Sequence, residues 1–176
     1  MIYLGIGSNL TSIYGNRFKN IKLAISLLKE KKIKVIKKSS FYETQSYPDK
    51  TNPKFINVVI AVKSLLTPNK LMKNLIIVEK KLGRIRIKKN DPRTCDIDII
   101  DFNNEIITIK SKKSKLQIPH RSMNNRNFVL YPLKEICPNW KHPITKASID
   151  ILIKKLKKTN NEITKLSQSD INKYVK

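Results

Sequence analysis

The sequence predicts an α+β fold in which two helices cover one face of an antiparallel sheet. Apolar residues recur at helical spacing in two separate stretches, 16–32 and 68–83. Short runs rich in β-branched and aromatic residues come before, between and after these stretches. Taken in order along the chain, the patterns give β-α-β-β-α-β followed by C-terminal additions.

The first half of the chain supplies three predicted strands and one helix. Residues 2–8, IYLGIGS, form a short apolar run that ends in a turn and indicates a buried first strand. Residues 16–32 follow as an amphipathic helix, with lysine and asparagine between the apolar positions. Residues 33–42 and 55–62 have strand composition, and we expect a long loop to join them.

The second half completes the pattern. Thr67 can cap a second helix, Pro68 suits its first turn, and Gly83 is a natural stop. Residues 95–102 give the last strand of the core. We expect a hairpin and short helices after it, near residues 131–136 and 148–156. This order is the split βαβ arrangement of ferredoxin-like domains.

Length and composition set the class of protein. At 176 residues the chain has the size of one compact domain, and we expect a single domain over 1–176. Its end, from about residue 160 to 176, is polar and is expected to be loosely held. The N-terminus lacks a signal-peptide pattern and no apolar run approaches the ~18 residues of a membrane span, so we expect a cytoplasmic protein.

The formal net charge of +24 raises the question of a nucleic-acid partner. Most of this charge is lysine, scattered along helix faces and the tail rather than interleaved with aromatic residues. Abundant Lys, Ile and Asn together are typical of AT-rich coding sequence, so we interpret the charge as a solvated surface, with a dedicated polyanion surface as the alternative. Cys95 and Cys137 are too far apart for a CxxC metal or redox site.

Asp96 and Asp98 are the first candidates for chemistry. Alternate side chains of a strand share a face, so the two carboxylates would project together about 7 Å apart while Ile97 and Ile99 enter the core. Such a pair suits Mg²⁺, which takes one or two carboxylates plus waters and phosphate oxygens. Two metal ions could share the pair. Because a bare Asp-x-Asp pattern is common by chance, solvated carboxylates on a strand edge are the competing interpretation.

Arginines near this pair favour phosphate chemistry. Arg84, Arg86 and Arg93 lie close before Asp96 in a chain whose usual base is lysine. A guanidinium fork binds phosphate oxygens through two parallel hydrogen bonds, which an ammonium group cannot do. The arginines therefore indicate that this region handles phosphate groups. Gly5 and Gly7, by contrast, lack the third glycine and the lysine of a phosphate-binding loop, and we interpret them as close-packing glycines.

Several sequence blocks agree in order and spacing with one enzyme family. They are LGIGSNL at 4–10, FYET at 41–44, FIN at 55–57, EKKLGR at 79–84, DPRTCDID at 91–98 and IPHRSMNNRNFVLYPLKEICP at 118–138. Together they resemble the 6-hydroxymethyl-7,8-dihydropterin pyrophosphokinases, and the resemblance extends to about Pro143. It implies a magnesium-dependent transfer of the β,γ-pyrophosphate of ATP to the hydroxymethyl group of the pterin, giving AMP, in folate biosynthesis. It also implies a monomer with small-molecule substrates and no nucleic-acid or membrane partner.

The resemblance further implies roles for individual residues. Four would be catalytic: Arg84, Arg93, Asp96 and Asp98. Of these, Asp96 and Asp98 would hold two Mg²⁺ ions. ATP would be bound by Glu79, Arg84, Arg93, Ile99, Lys115, His120 and Arg126. The pterin would be bound by Thr44, Gln45, Tyr47, Phe55, Asn57, Asp96 and Phe128. In this set Phe55 and Phe128 would sandwich the ring, and Asn57 would meet its hydrogen-bonding edge.

Taken without the resemblance, some of these residues have other interpretations. Phe55 and Phe128 lie in apolar segments and could fill the core. His120 could be an ordinary loop histidine. The alignment of Arg86 and Lys88 with the family stays open, as does a general base, for which Asp96 is the first candidate.

A basic RNA-binding module is the alternative function, because RNA-recognition domains have the same order of elements. Those domains carry a basic, glycine, aromatic pattern on their central strands. No segment of this chain matches that pattern. The sequence therefore favours the enzyme.

Overall fold

The computed structural model describes residues 1–85, 91–111, 114–156 and 162–174. The strands in these ranges are β1 (Ile2–Ser8), β2 (Lys34–Lys38), β3 (Tyr42–Thr44), β4 (Phe55–Lys63), β5 (Asp96–Phe102), β6 (Ile107–Ser111), β7 (Ser114–Ile118) and β8 (Ile163–Lys165). The helices are α1 (Arg17–Glu30), α2 (Pro68–Lys81), α3 (Asn127–Ile136), α4 (Ile149–Lys154) and α5 (Gln168–Lys173), with a 3₁₀ turn at Met123–Asn125.

The main sheet is antiparallel and has the strand order β5-β1-β4-β3-β8, with β2 paired to the other part of β4. Gly7 in the central strand β1 lies opposite Asn57 of β4 on one side and Asp96 of β5 on the other. Strands β6 and β7 form a separate hairpin. The predicted α+β, ferredoxin-like βαββαβ arrangement is confirmed.

One face of the sheet packs against α1 and α2. Its inward residues include Ile6, Val58 and Ile97, which are nearly inaccessible to solvent. Helix α1 begins at Asn16, whose side-chain oxygen accepts hydrogen bonds from the backbone of the first turn. Thr67 lies at the N-cap of α2 as predicted but makes no side-chain capping bond there, so Pro68 is the start signal that the structure uses.

The other face of the sheet is covered over only part of its area. Helices α3 and α4 bury Val59, Ala61 and Ile100 together with Trp140. Because strand side chains alternate, the same face continues along β4 to Asn57 and Phe55 and along β5 to Asp98 and Asp96, beyond the cover of α3. The uncovered end of this face is the floor of a cavity.

Two segments differ from the sequence prediction. The strand expected over 33–42 is divided into β2 and β3, because Ser39 turns the chain: its hydroxyl accepts the Val59 N–H at 3.0 Å, and Ser40 binds Glu135 of α3. The segment expected to be a loose tail forms β8 and α5 over 162–174, since Ile171 is buried against the core. No helix within the described ranges has the length and apolar character needed to cross a membrane.

Candidate active site

A cavity of about 710 Å³ opens at the end of the sheet where β1, β4 and β5 are not covered by α3. Eleven of the residues predicted from the sequence line it: Thr44, Gln45, Tyr47, Phe55, Asn57, Arg93, Asp96, Asp98, His120, Arg126 and Phe128. They come from β3 and the loop after it, from β4, from β5 and the loop before it, and from α3 and the segment before it. The fold therefore brings together most of the site that the resemblance implied.

Asp96 and Asp98 lie on the cavity wall as the alternation of β5 predicted. The Asp96 side chain is 20% exposed and that of Asp98 is 35% exposed. Their neighbours on β1 are Gly7 and Gly5. A Cβ at Gly7 would come within 3.1 Å of the Asn57 Oδ1, so glycine keeps the floor between the carboxylates and Asn57 open. This agrees with the interpretation of these residues as close-packing glycines.

Two arginines neutralise Asp96. Arg84 Nη1 lies 2.6 Å from Asp96 Oδ1, and Arg93 Nε lies 2.9 Å from Asp96 Oδ2. Glu79, a buried residue of α2, also pairs with Arg84 and accepts the Ile97 N–H at 2.7 Å. Glu79 thus fixes both Arg84 and the start of β5. A hydrogen bond to a charged group such as this carboxylate is worth roughly 1.5–3 kcal/mol.

The Nε groups of Arg84 and Arg93 are buried and have no hydrogen-bond partner among the described residues. The contact of Arg93 with Asp96 is therefore close but not aligned as a hydrogen bond. A buried N–H group without a partner is costly, at about 1–3 kcal/mol. Both N–H groups therefore have unused hydrogen-bonding capacity beside Asp96.

Asp98 has its own basic partners. Arg126 Nη1 donates to Asp98 Oδ2 at 3.0 Å, and His120 Nε2 lies 3.9 Å from the same oxygen. Burial lowers the pKa of His120, and Asp98 opposes this shift. The His120 Nδ1 accepts the Ser122 N–H at 3.2 Å, so Nε2 is the ring nitrogen that faces the cavity side of the carboxylate.

The opposite side of the cavity has neutral polar and aromatic groups. Asn57 is buried and donates from Nδ2 to Thr44 Oγ1 at 3.0 Å. Phe55 and Phe128 are partly exposed and line the cavity, so neither ring is closed inside the core. An arginine lies over each ring, with Arg93 at 5.1 Å from the Phe55 centroid and Arg126 at 5.5 Å from that of Phe128.

The sequence reasoning missed Asn9, which ties two sides of the cavity together. Its Oδ1 accepts the Arg93 N–H at 2.7 Å, and its Nδ2 donates to Pro53 O at 3.1 Å. The Asn9 N–H donates to Arg93 O at 3.1 Å. This buried side chain fixes the Arg93 segment to the loop before β4. Its place in the LGIGSNL block was the available signal.

Three predicted residues do not line the cavity: Glu79, Arg84 and Ile99. The Ile99 side chain is 2% exposed and packs in the α1 and α2 layer, as the alternation of β5 predicts, and the expected contact of this residue with ATP stays a prediction. Glu79 and Arg84 lie behind the wall, joined to each other and to Asp96 through Arg84. The backbone of Lys115 lies in β7, and its side chain is outside the described part of the structure. Residues 86–90, which include Arg86 and Lys88, are also outside it.

The carboxylate pair fits magnesium. Both donors are oxygens on one wall, as a small hard cation requires, and they leave coordination positions for phosphate oxygens and water. Within the described ranges, no cluster of three or more His, Cys, Asp or Glu side chains could hold a metal by itself. A cation at this site therefore needs ligands from a bound phosphate compound, which is the usual behaviour of Mg²⁺ with nucleotides.

A sequence profile for the family described as 7,8-dihydro-6-hydroxymethylpterin-pyrophosphokinase (HPPK) matches residues 3–138. The chain belongs to this family. The matched range contains β1 to α3 and the cavity residues named above. Membership of this enzyme family decides against the RNA-binding module as the function of the fold.

Named relatives agree with the family. The chain is 38% identical over 143 residues to the 2-amino-4-hydroxy-6-hydroxymethyldihydropteridine pyrophosphokinase of Aquifex aeolicus, covering 81% of this chain and 84% of that protein. It is 39% identical over 155 residues to the folic acid synthesis protein fol1 of Pneumocystis carinii, covering 88% of this chain. The chain spans only 20% of that relative's length.

The fold is also similar to a solved structure, that of Plasmodium falciparum HPPK-DHPS. The TM-score is 0.70 at 18% identity, and the match covers 88% of this chain and 44% of that one. At this identity the likeness supports the fold alone.

Proposed function

We propose that this protein transfers the β,γ-pyrophosphate of ATP to the hydroxymethyl group of 6-hydroxymethyl-7,8-dihydropterin in folate biosynthesis. The observation that carries the proposal is the composition of one cavity. Paired carboxylates and arginines line one side of it, and aromatic rings with a buried amide line the other. The name of the Aquifex relative, most of whose length the chain covers, supports the same reaction.

The neutral side of the cavity suits the pterin. Phe55 and Phe128 offer partly exposed rings that can stack on a flat heterocycle. Asn57 is held by its bond to Thr44, which leaves its Oδ1 as an acceptor near Gly7. Gln45 and Tyr47 lie on the loop beside these residues and would close over the bound ring.

The charged side suits the triphosphate. Arg93, Arg126 and His120 line it, and the Arg93 guanidinium, whose Nε faces Asp96 Oδ2 at 2.9 Å without an aligned hydrogen bond, can exchange this contact for a phosphate oxygen. Arg84 would contribute through the same kind of group from behind Asp96. Glu79 would serve ATP indirectly by holding Arg84. When phosphates bind, the arginines can exchange the Asp96 carboxylate for phosphate oxygens of the same charge.

In the reaction, the hydroxymethyl oxygen attacks the β-phosphorus of ATP. The new O–Pβ bond forms as the bond from Pβ to the oxygen bridging the α-phosphorus breaks, and that oxygen leaves on AMP. The hydroxyl proton passes to Asp96, which lies on β5 opposite Gly7 of β1, and Gly7 in turn lies opposite Asn57 of β4. Arg93 and Arg126 stabilise the charge on the phosphate oxygens, which supplies most of the acceleration in this type of transfer.

Asp96 and Asp98 would hold the magnesium, and we propose two ions. Bound there, Mg²⁺ neutralises phosphate charge and polarises the P–O bonds. The arginines that pair with both aspartates hold these carboxylates in place on the cavity wall before the nucleotide enters.

We propose further that the enzyme works as a monomer in the cytoplasm, as one domain over residues 1–176, without nucleic-acid or membrane partners. The support is the small size of the substrates, which a cavity of this volume can hold.

Asp98→Asn is the sharpest test, because Asp98 is the more exposed aspartate, whereas Asp96 holds the buried Arg84 and the partly buried Arg93. Losing one metal ligand should remove several kcal/mol of transition-state stabilisation, so AMP formation should fall by at least about 100-fold. The measurement is turnover with ATP, Mg²⁺ and pterin, with folding checked by circular dichroism. Glu105→Gln, an exposed carboxylate at the far end of β5, is the matched control. Turnover of Asp98→Asn close to that of Glu105→Gln would contradict the proposal.

A further inference from the structure

Glu135, near the end of α3, is a carboxylate on which several segments converge, although it does not line the cavity. Ser40 donates to it from the backbone N–H at 3.2 Å and from the hydroxyl at 2.8 Å. The Tyr42 hydroxyl donates at 2.8 Å, and Lys165 of β8 donates at 3.3 Å. Burial raises the pKa of Glu135, but the bonds from Ser40 and Tyr42 outweigh burial and lower it. The carboxylate is therefore charged at neutral pH and joins α3 to the start of β3.

The bond to Tyr42 is the one that leads toward the cavity. Tyr42 lies directly opposite Asn57 in the pairing of β3 with β4. Directly opposite side chains of an antiparallel pair share a face, with their Cβ atoms about 4.5–5.5 Å apart. Tyr42 is 7% exposed and Asn57 is 5% exposed. The tyrosine ring thus forms one buried flank of the Asn57 amide.

Asn57 is confined on its other sides as well. Its Nδ2 donates to Thr44 Oγ1 at 3.0 Å. Toward β1 it lies opposite Gly7, where a Cβ would come within 3.1 Å of its Oδ1. The sheet itself sets the positions of these short neighbours. Tyr42 is different, because its side chain is long and its hydroxyl is held from outside the sheet, by Glu135. The position of the ring therefore depends on that bond.

We propose that Glu135 is a positioning residue for the pterin half of the site and acts through Tyr42. The carboxylate fixes the tyrosine hydroxyl, and the ring then limits the rotation of the Asn57 amide. An amide that is oriented before the pterin arrives loses less freedom on binding, which raises affinity. Because Glu135 lies outside the cavity, its removal should affect the pterin and leave the nucleotide unaffected.

This inference rests on the proposed function and is tested by binding rather than turnover. Calorimetry would measure the dihydropterin in the presence of Mg²⁺ and a nonhydrolysable ATP analogue, and the ATP analogue alone, on full-length variants. Glu135→Ala should weaken pterin binding by about three- to tenfold, the value of one impaired hydrogen bond, and ATP-analogue binding by less than about twofold. Tyr42→Phe should cause a similar loss, since it removes the same bond. Glu135→Gln, which can still accept a bond from Tyr42, should restore part of the affinity.

Glu43→Ala is the matched control, because Glu43 lies on the same strand but its side chain is on the opposite face. Glu43 pairs with Arg17 at 3.5 Å and with Lys54 at 3.3 Å. Its loss should lower the melting temperature, as Glu135→Ala does, while pterin affinity stays within about twofold of the parent. The double variant of Tyr42→Phe and Glu135→Ala should bind the pterin no more weakly than either single variant, because both changes break one pathway.

The outcomes separate the two proposals. Parent-like pterin affinity in Glu135→Ala, additive losses in the double variant, or an equal loss in Glu43→Ala would overturn the role of Glu135 and leave the pyrophosphokinase proposal intact. Equal losses of pterin and ATP-analogue affinity would also overturn it, as a general effect on the fold. Should Glu135→Ala fail to fold, the pterin affinity of Tyr42→Phe decides by the same criterion. A parent protein that does not bind the pterin would contradict the proposed function itself.

Discussion

Arg93→Lys tests whether the arginine acts through its geometry or only through its charge. The substitution keeps the backbone bonds between residue 93 and Asn9, because these use the N–H and carbonyl of the main chain. It also keeps the formal charge. It removes the guanidinium plane, whose Nε lies 2.9 Å from Asp96 Oδ2 and has no hydrogen-bond partner in the described structure. An ammonium group cannot replace two parallel bonds to a phosphate.

The size of the effect follows from the bonds lost. One charge-assisted hydrogen bond is worth roughly 1.5–3 kcal/mol, so losing one of the two should slow transfer by about 10- to 150-fold. The assay is single-turnover formation of AMP at saturating ATP, Mg²⁺ and pterin, which separates slow chemistry from weak binding. Lys73→Gln on the exposed side of α2 is the control and should react like the parent. A parent-like rate for Arg93→Lys, with a slowed Lys73→Gln, would make overall charge the functional feature and refute the reasoning.

Two other predictions concern binding and stability. Phe128→Ala should weaken pterin binding by roughly 1–3 kcal/mol, the value of one stacked base, and ATP-analogue binding much less; equal losses by calorimetry would mark Phe128 as a packing residue. The fold should also lose stability as pH falls below about 6.5, because burial lowers the pKa of His142 in the native state while the unfolded chain takes up the proton. His142 Nδ1 accepts the N–H groups of Ile144 and Thr145, which the neutral ring allows. Burial raises the pKa of Asp101, which has the opposite effect on the pH dependence of stability. The melting temperatures of the parent and of His142→Asn are therefore compared over pH 7 to 5.5. Identical slopes of melting temperature against pH would contradict the assignment of the effect to His142.

The periodicity of the sequence correctly predicted features set by residues close together in the chain, such as side-chain alternation along a strand and the end of a helix. Alternation along β5 placed Asp96 and Asp98 on one face and Ile99 in the core, and the structure agrees. Gly83 ends α2 with a positive φ of 79°, a conformation that glycine adopts without strain.

Contacts between distant segments could not be predicted in this way. The break between β2 and β3 depends on Glu135, which is 95 residues further along the chain from Ser40. The arginine pairs on both aspartates depend on how three loops meet in the folded chain. Strand β8 and helix α5 were missed because their composition is polar, although the Ser167 to Asp170 spacing was a readable capping signal for α5.

The central claim is the transfer of an intact pyrophosphate group, and the most direct measurement follows the β-phosphorus. ATP labelled at that position would be incubated with the protein, Mg²⁺ and 6-hydroxymethyl-7,8-dihydropterin, and the products would be separated. The proposed reaction predicts that all transferred label appears in a pterin diphosphate, with unlabelled AMP formed in equal amount. Labelled ADP together with a pterin monophosphate would contradict it, because that outcome requires attack at the γ-phosphorus.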